Sequence, residues 1–271
     1  MDEKKRKYSI IVVTYNNADG LSRTLKSIRK LDYTDREVIV IDGGSKDGTL
    51  NIITKNEDII TVSVSERDTG IYNAMNKGIG HVTGNYVVFM NAGDEFADKD
   101  VLSLVSQYHG DIILGEDIYG GVRRTLKEKM TLYDLLSKGM YHQAVYYRKE
   151  VLQKYGFDES YKLIADLKSV VEPFLKDKIA ITCITKPLAI CESGGVSKLR
   201  WRDTLIENRR LIEELVDPFY KEDYLKFARI NNSMLDDFIV LSYFYKTFPL
   251  LRLMSKVVRF LNEKFKHIPI E

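Results

Sequence analysis

Residues 8–17 read YSIIVVTYNN and residues 37–49 read EVIVIDGGSKDGT, and these two stretches decide the fold. Tyr8 to Thr14 is an apolar run, the pattern of a strand covered on both faces of a parallel sheet. Glu37 to Ile41 is a second such strand and ends at Asp42. Between them Leu21, Leu25, Ile28 and Leu31 recur at helical spacing, which predicts a helix over 19–31. Gly43 to Gly48 is turn chemistry, and Leu50 and Ile53 open a helix. Outward from this core the alternation continues. A strand is predicted over 60–64 and a helix over 70–82, carried by Ile71, Met75 and Ile79. A further strand over 85–90 ends at Asn91-Ala92-Gly93-Asp94. The βαβαβαβ order predicts an α/β fold: an open, mostly parallel sheet with helices on both faces.

Past residue 100 the rhythm changes. Short strands are expected at 111–114, 122–126 and 144–147, a helix at 163–175, and a hairpin over 179–191 around Pro187. From about Asp203 the pattern is helical, punctuated by Asp217-Pro218 and Phe248-Pro249, because a residue before proline leaves the α region.

The 271 residues allow one to two domains and a sizeable core. Apolar residues make up 44% and charged residues 30%, which excludes a chain that is mainly disordered. The net charge of +2 gives no nucleic-acid signal. Cys183 and Cys191 cannot make a disulfide framework and point to a reducing, cytoplasmic setting. No apolar run is long enough for a membrane span, and the basic start leads straight into a strand pattern with no signal-peptide region expected.

In open parallel α/β sheets, ligands bind at the carboxyl ends of the strands. Here those ends carry Thr14-Tyr15-Asn16, Asp42, Glu66-Arg67-Asp68, and Asn91 to Asp94. Three carboxylates, Asp42, Asp68 and Asp94, would crowd one rim, and such a cluster calls for a cation, hydrogen-bond donors or a nucleotide. Taken singly, Asp42 is equally readable as a helix cap. No glycine cradle for phosphate is present: the first turn lacks glycines, and Gly43-Gly44-Ser45-Lys46 lacks the P-loop spacing. His81, His109, His142 and His267 are scattered and give no zinc spacing.

The segments SIIVVTYNN (9–17), EVIVIDGGSKDGT (37–49) and SERDTGIYNAMNKGIGHVTGNYVVFMNAGDEF (65–96) resemble a family 2 glycosyltransferase of the GT-A, Rossmann-like fold. The last is especially similar to the bacterial capsule and colanic-acid type. Looser matches run through HQAVYYRKEVLQKYGFDES (142–160), Ala165-Asp166 and Gly194-Gly195-Val196-Ser197. The resemblance implies a GT-A domain over 1–200 and leaves 201–271 as a helical C-terminal extension. It implies an enzyme that moves a sugar from a nucleotide-diphosphate donor, UDP-sugar before GDP-sugar, to a hydroxyl of a growing surface glycan, with inversion. The acceptor implied is a saccharide or a lipid-linked oligosaccharide.

The implied site is specific. Tyr15 matches the aromatic beside the base, Asp42 the carboxylate on the base edge and Asp68 a position near the nucleoside, with Thr14 and Asn16 in the same turn. Asp94 falls on the acidic position that reaches a divalent ion, and Mn²⁺ or Mg²⁺ suits oxygen ligands. This chain departs from the usual two or three acids, having Asn91 and Gly93 there; Asn91 retains hydrogen bonding to a ribose, and the ion is expected to enter with the donor. Asp166 matches the catalytic aspartate, the general base, and also reads as a helix start; Ala165 stands where a paired Glu is common. Asp158 and Glu159 are competing acids expected to be turn residues. His142 is placed near the floor of the site or is structural. After the 194–197 glycine loop, Lys198 and Arg200 are expected to close over the diphosphate, or to belong to a solvated linker.

Residues 246–271 carry six Lys/Arg and two acids. Over 248–266, Leu250, Leu251, Met254, Val257, Val258, Leu261 and Phe265 recur at helical spacing. Three readings stay open: a helix on the inner membrane surface, a helix packed on the catalytic domain, and a homodimer contact. A nucleotidyltransferase would show a glycine-rich basic first loop, which is lacking. A sugar-nucleotide binding or assembly protein without catalysis remains the rival reading.

Overall fold

The computed structural model describes residues 6–138, 140–192, 200–221 and 224–225. The chain divides into two compact units, Met1–Val216 and Asp217–Glu271. Lys198, the 194–197 loop and the final 248–266 helix lie outside the described residues. Among the described residues no helix is long and apolar enough to cross a membrane.

The first unit is built on one sheet, with nine strands among the described residues. They are β1 (Tyr8–Thr14), β2 (Arg36–Asp42), β3 (Val62–Ser65), β4 (Tyr86–Asn91), β5 (Glu95–Phe96), β6 (Ile112–Tyr119), β7 (Val122–Arg124), β8 (Val145–Arg148) and β9 (Ile181–Cys191). The order is β3-β2-β1-β4-β8-β6-β9-β5, with β7 paired to β6. β3, β2, β1 and β4 are all parallel. The second half is mixed: β8 runs antiparallel to β4 and β6, while β9 runs parallel to β6 and antiparallel to β5. Eight helices accompany it: α1 (Ala18–Arg29), α2 (Thr49–Thr54), α3 (Ile71–Ile79), α4 (Val101–Val105), α5 (Leu132–Lys138), α6 (Lys149–Tyr155), α7 (Ala165–Lys176) and α8 (Trp201–Leu215) among the described residues.

Strand periodicity explains the two cores. Ile11, Val13, Ile39, Ile41, Val87 and Phe89 point to one face, where they meet Met75, Leu152, Leu167, Val170 and Leu211. Ile10, Val12, Val38, Val40, Val88 and Met90 point to the other, against Leu21, Leu25, Ile28, Leu102 and Val105. Alternate side chains of one strand leave on opposite faces, so a strand apolar at every position needs cover on both. Leu21, Leu25 and Ile28 form the predicted stripe of α1, which Asn17 caps by accepting from Gly20 N–H (3.0 Å). Gly78 lets α3 approach the sheet: a Cβ there would lie 2.6 Å from Ile11 Cγ2. Glycine inside a helix costs about 0.5–1 kcal/mol relative to alanine, and close packing of α3 on β1 offsets it.

One expectation is corrected. Residues 179–191 are not a hairpin around Pro187: Ile181–Cys191 is a single strand beside β6. Proline cannot donate to the ladder, and the register accordingly shifts around Glu116, which pairs with Pro187. The irregularity absorbs the proline within one strand, so β9 continues to Cys191 and carries Glu192 to the rim.

Helix α8 belongs to the first unit. Leu211 is in the core. The Glu207 carboxylate accepts from the backbone N–H of Lys162, Leu163 and Ile164 (2.7, 2.9 and 3.2 Å), just before α7. Glu214 accepts from Tyr161 Oη (2.7 Å) and from Lys168, which also pairs with Asp158 (2.7 Å).

At the opposite end of the sheet, buried Glu37 joins three segments. It accepts from Ser9 Oγ (2.5 Å) and Thr83 N–H (2.6 Å), and pairs with Lys7 (2.8 Å). Burial pushes its carboxyl up, but the bonds from Lys7, Ser9 and Thr83 outweigh that and hold it down at about 2. Its folded pKa lies below the ordinary 4.5, so its stabilisation is full above pH 4.5 and is lost as pH falls through about 2. Glu37→Gln should cost about 2–4 kcal/mol at neutral pH. Urea unfolding across pH should also show a flatter acid limb in the variant; parallel curves would contradict this role.

Candidate active site

The carboxyl ends of β1, β2 and β4 lie side by side, since Thr14 pairs with Asp42 and Val13 with Asn91. Asn17 Nδ2 donates to Ala92 O (2.9 Å), tying the first turn to the fourth. The residues predicted for the rim therefore come together, in two groups.

The first group surrounds the β2 end. Asp42 is 0% exposed and accepts from Ser45 N–H (3.0 Å), Ser45 Oγ and Ser65 Oγ (2.6 Å). A buried carboxylate without donors would cost several kcal/mol, and these bonds offset that. Asp42 thus holds the 43–48 turn. Asn16, at φ +48°, accepts from Lys46 N–H (2.8 Å) through its side chain, and its own N–H donates to Ser45 Oγ (2.7 Å). Asparagine tolerates this left-handed backbone better than most residues. Thr14 is buried, and its hydroxyl has no hydrogen-bond partner among the described residues. Tyr15 is 63% exposed. A Cβ at Gly43 would overlap the Asp68 carboxylate and lie 3.2 Å from the Tyr15 ring. Tyr15 and Asp68 therefore both close on Gly43, which makes room for them by having no side chain.

The second group centres on Asp166, in the first turn of α7. Its Oδ1 accepts from Tyr72 Oη (3.1 Å) and Leu167 N–H (2.9 Å). Its Oδ2 lies 3.1 Å from His142 Nδ1. A carboxylate only accepts, so Nδ1 carries the proton toward it. His142 Nε2, then the acceptor of the neutral ring, lies 3.1 Å from the Asn91 side-chain amide, whose NH2 end is the group that can donate to it. Burial, then the Asp166 charge and hydrogen bond, push the Tyr72 phenol well above its usual range, so Tyr72 remains a donor. The chain Asn91–His142–Asp166–Tyr72 links the β4 end to α7 and α3. Helix α3 also joins the two groups: Asp68 Oδ1 accepts from Gly70 N–H (3.0 Å) at its start, and Tyr72 lies in its first turn.

The competing acids are occupied elsewhere. Glu159 accepts from Asn73 (3.1 Å) and Asn76 (2.9 Å), bonds that lower its pKa. Burial raises Asp158, but Lys168 and Ser160 bring it down to about 2. Arg200 pairs with Asp203 (2.8 Å) at the start of its own helix.

Asp94 is 4% exposed, with Oδ1 accepting from Glu192 N–H (2.8 Å) and Oδ2 from Gln143 Nε2 (2.5 Å). Gln143 Oε1, on the same amide, is buried without a partner among the described residues. The Glu192 side chain lies against Gly93 and pairs with Arg23. Among the described residues no group of three His, Cys, Asp or Glu could hold a metal ion alone. The oxygens of Asp94, Glu192 and Gln143 still suit a hard divalent cation whose remaining ligands are phosphate oxygens.

Sequence reading misses Tyr72, Gln143, Glu192 and Arg23. Tyr72 lies inside the quoted 65–96 segment and Gln143 beside His142, but only the tertiary fold brings them to Asp166 and Asp94.

A family model described as Glycosyl transferase family 2 matches residues 9–161. The chain belongs to that family. A PGL/p-HBAD biosynthesis glycosyltransferase of Mycobacterium bovis is 32% identical over 59% of this chain and 66% of its own length. An uncharacterized glycosyltransferase of Mycobacterium tuberculosis is 31% identical over 76% of this chain and 83% of its own. Among solved structures, S. aureus TarS 1-349 aligns with TM-score 0.62 at 20% identity, over 81% of this chain and 69% of that one. Mannosyltransferase PcManGT from Pyrobaculum calidifontis, solved with GDP-Man and Mn²⁺, aligns with TM-score 0.65 at 14% identity, over 98% and 89%. These structural likenesses establish the GT-A fold of the chain.

Gly93 has φ +113°, a backbone region that side chains disfavour, and a Cβ there would overlap Glu192. Gly93→Ala should cost about 1–3 kcal/mol in urea unfolding. A loss below about 0.5 kcal/mol would contradict the positive-φ backbone that Gly93 holds in this turn.

Proposed function

We propose that this chain transfers a sugar from a nucleotide-sugar donor, UDP-sugar before GDP-sugar, to a hydroxyl of a saccharide or lipid-linked oligosaccharide, with inversion at the anomeric carbon. One observation carries the proposal: Asp166 is held by donors from α3, the His142 turn and its own helix, on the rim that also presents Tyr15 and Asp68. Membership of glycosyl transferase family 2 supports it, as do neighbouring structures solved with UDP and UDP-GlcNAc.

In this reading Tyr15 and Asp68 flank the nucleoside above Gly43, and Asp42 serves the base edge through the 43–48 turn that it anchors. Thr14 and Asn16 complete that group. Asn91 bonds the ribose and steadies His142. The acceptor hydroxyl, set beside Asp166, attacks the anomeric carbon from the face opposite the diphosphate. A bond forms from its oxygen to that carbon, and the bond to the phosphate oxygen breaks. Its proton passes to the Asp166 carboxylate and the electron pair leaves with the diphosphate. Tyr72 and His142 keep the carboxylate aimed, which preserves a reactive geometry. When bound beside Asp94 and Glu192 with the diphosphate, Mn²⁺ or Mg²⁺ supplies neutralisation of the leaving charge. Lys198 and Arg200 add positive charge near the diphosphate on closure. We place this work in the cytoplasm, on the inner membrane face if residues 248–266 bind lipid; packing on the catalytic domain and a homodimer contact are the alternative uses of that segment.

The departure at Asn91 and Gly93 favours a second reading, a sugar-nucleotide binding protein that does not transfer. Turnover decides between them. With Mn²⁺, the chain should release UDP from a UDP-sugar and bind UDP by calorimetry; binding without release would support the second reading. Asp42→Ala and Tyr15→Ala should each weaken UDP by about tenfold, about 1.4 kcal/mol. Asp166→Asn should retain UDP affinity and lower turnover by ~10²–10⁴. Near-native turnover in Asp166→Asn would remove it as the base, and a retained anomer by NMR would overturn the single-displacement mechanism.

A further inference from the structure

The acidic motif after β4 lacks acids at positions 91 and 93, and the structure brings another carboxylate to the second of these places. A Cβ at Gly93 would overlap Glu192 Oε2 and lie 2.9 Å from Glu192 Cδ. The Glu192 carboxylate thus occupies the space into which a side chain at 93 would project. It arrives there because β9 runs unbroken to Cys191 and because Asp94 Oδ1 accepts from Glu192 N–H (2.8 Å). Asp94 itself is nearly sealed, with its other oxygen bonded to Gln143. The Glu192 side chain is 49% exposed, and its Oε1 pairs with Arg23 of α1.

An acidic pair alone does not define a site. Gln143 supplies the independent observation. It is 4% exposed, its amide sits on Asp94, and its Oε1 is a buried acceptor without a donor among the described residues. Leaving such an oxygen unsatisfied costs about 1–3 kcal/mol, which a cation or its water relieves. Two carboxylates and an orphaned amide oxygen are hard ligands of the type a divalent cation takes.

We propose that Glu192 is the carboxylate that receives the divalent cation carried by the nucleoside diphosphate, in the space that Gly93 leaves open. Asp94 and Gln143 hold the end of β9 so that Glu192 stays there. The proposal rests on the nucleotide-sugar reading above and assigns the accessible acid of that site. Arg23 and the cation compete for the same carboxylate, so Arg23 occupies Glu192 until the cation arrives.

The test compares UDP affinity with Mn²⁺ to UDP affinity without it, by calorimetry on the full chain. Their ratio isolates the contribution of the cation. Glu192→Gln keeps size and removes the charge at a half-exposed position, and a thermal melt confirms folding. The ratio should fall at least tenfold in Glu192→Gln, while metal-free UDP affinity stays within twofold. Arg23→Gln removes the competitor for Glu192 and should leave the ratio at the wild-type value or raise it. A wild-type ratio in Glu192→Gln, or an equal loss in both variants, would overturn the proposal, the latter because Glu192 would then serve only its ion pair. A wild-type chain that binds UDP equally with and without Mn²⁺ overturns the role of Glu192 and leaves donor binding intact. One that binds no UDP in either condition overturns the donor reading and the role of Glu192 with it.

Discussion

Everything at the rim turns on how one carboxylate is held. Asp166 has donors on both oxygens: Tyr72 Oη and Leu167 N–H on one, His142 Nδ1 on the other. Hydrogen bonds to a charged group contribute about 1.5–3 kcal/mol each, more than the rotational freedom of a short aspartate side chain. Its direction is therefore fixed before any ligand arrives. The donors come from distant parts of the chain, and each is held in turn. Tyr72 is packed in the core at the start of α3, His142 is bracketed by Asn91, and α7 is seated by Glu207 of α8. The role of general base proposed for Asp166 needs this kind of support, because a small misplacement of the reacting groups is costly in rate.

The same economy appears at Asp94 and Asp42. Both look from the sequence like groups that face a ligand. Both are buried and spend hydrogen bonds on the protein: Asp42 on Ser45 and Ser65, Asp94 on Gln143 and the Glu192 backbone. Their bonds shape the turns, and the turns present Tyr15, Asp68 and Glu192 outward. Acids of the rim thus divide into buried ones that build it, Asp42 and Asp94, and more accessible ones, Asp68 and Glu192.

The parallel half of the fold was legible because strands covered on both faces must be apolar at every position, as Ile10 to Val13 and Val38 to Ile41 are. Strand ends then located Tyr15, Asp42, Asp68 and Asn91 without further information. The second half was less so. Pro187 looked like a turn because proline breaks ladders, but an irregular register beside Glu116 lets the strand carry on. Tyr72, Gln143 and Glu192 carried no local signature, since their partners lie far along the chain. Only the pairing of β5 with β9, and the placing of the His142 turn beside β4, brings them in.

The most direct test is a crystal structure of the chain with UDP and Mn²⁺. The account predicts uracil between Tyr15 and Asp68 above Gly43, the cation against Glu192, and Asp166 facing the open side of the diphosphate. A nucleotide seated at another end of the sheet, or a diphosphate with Asp166 screened from it by the sheet, would contradict the account.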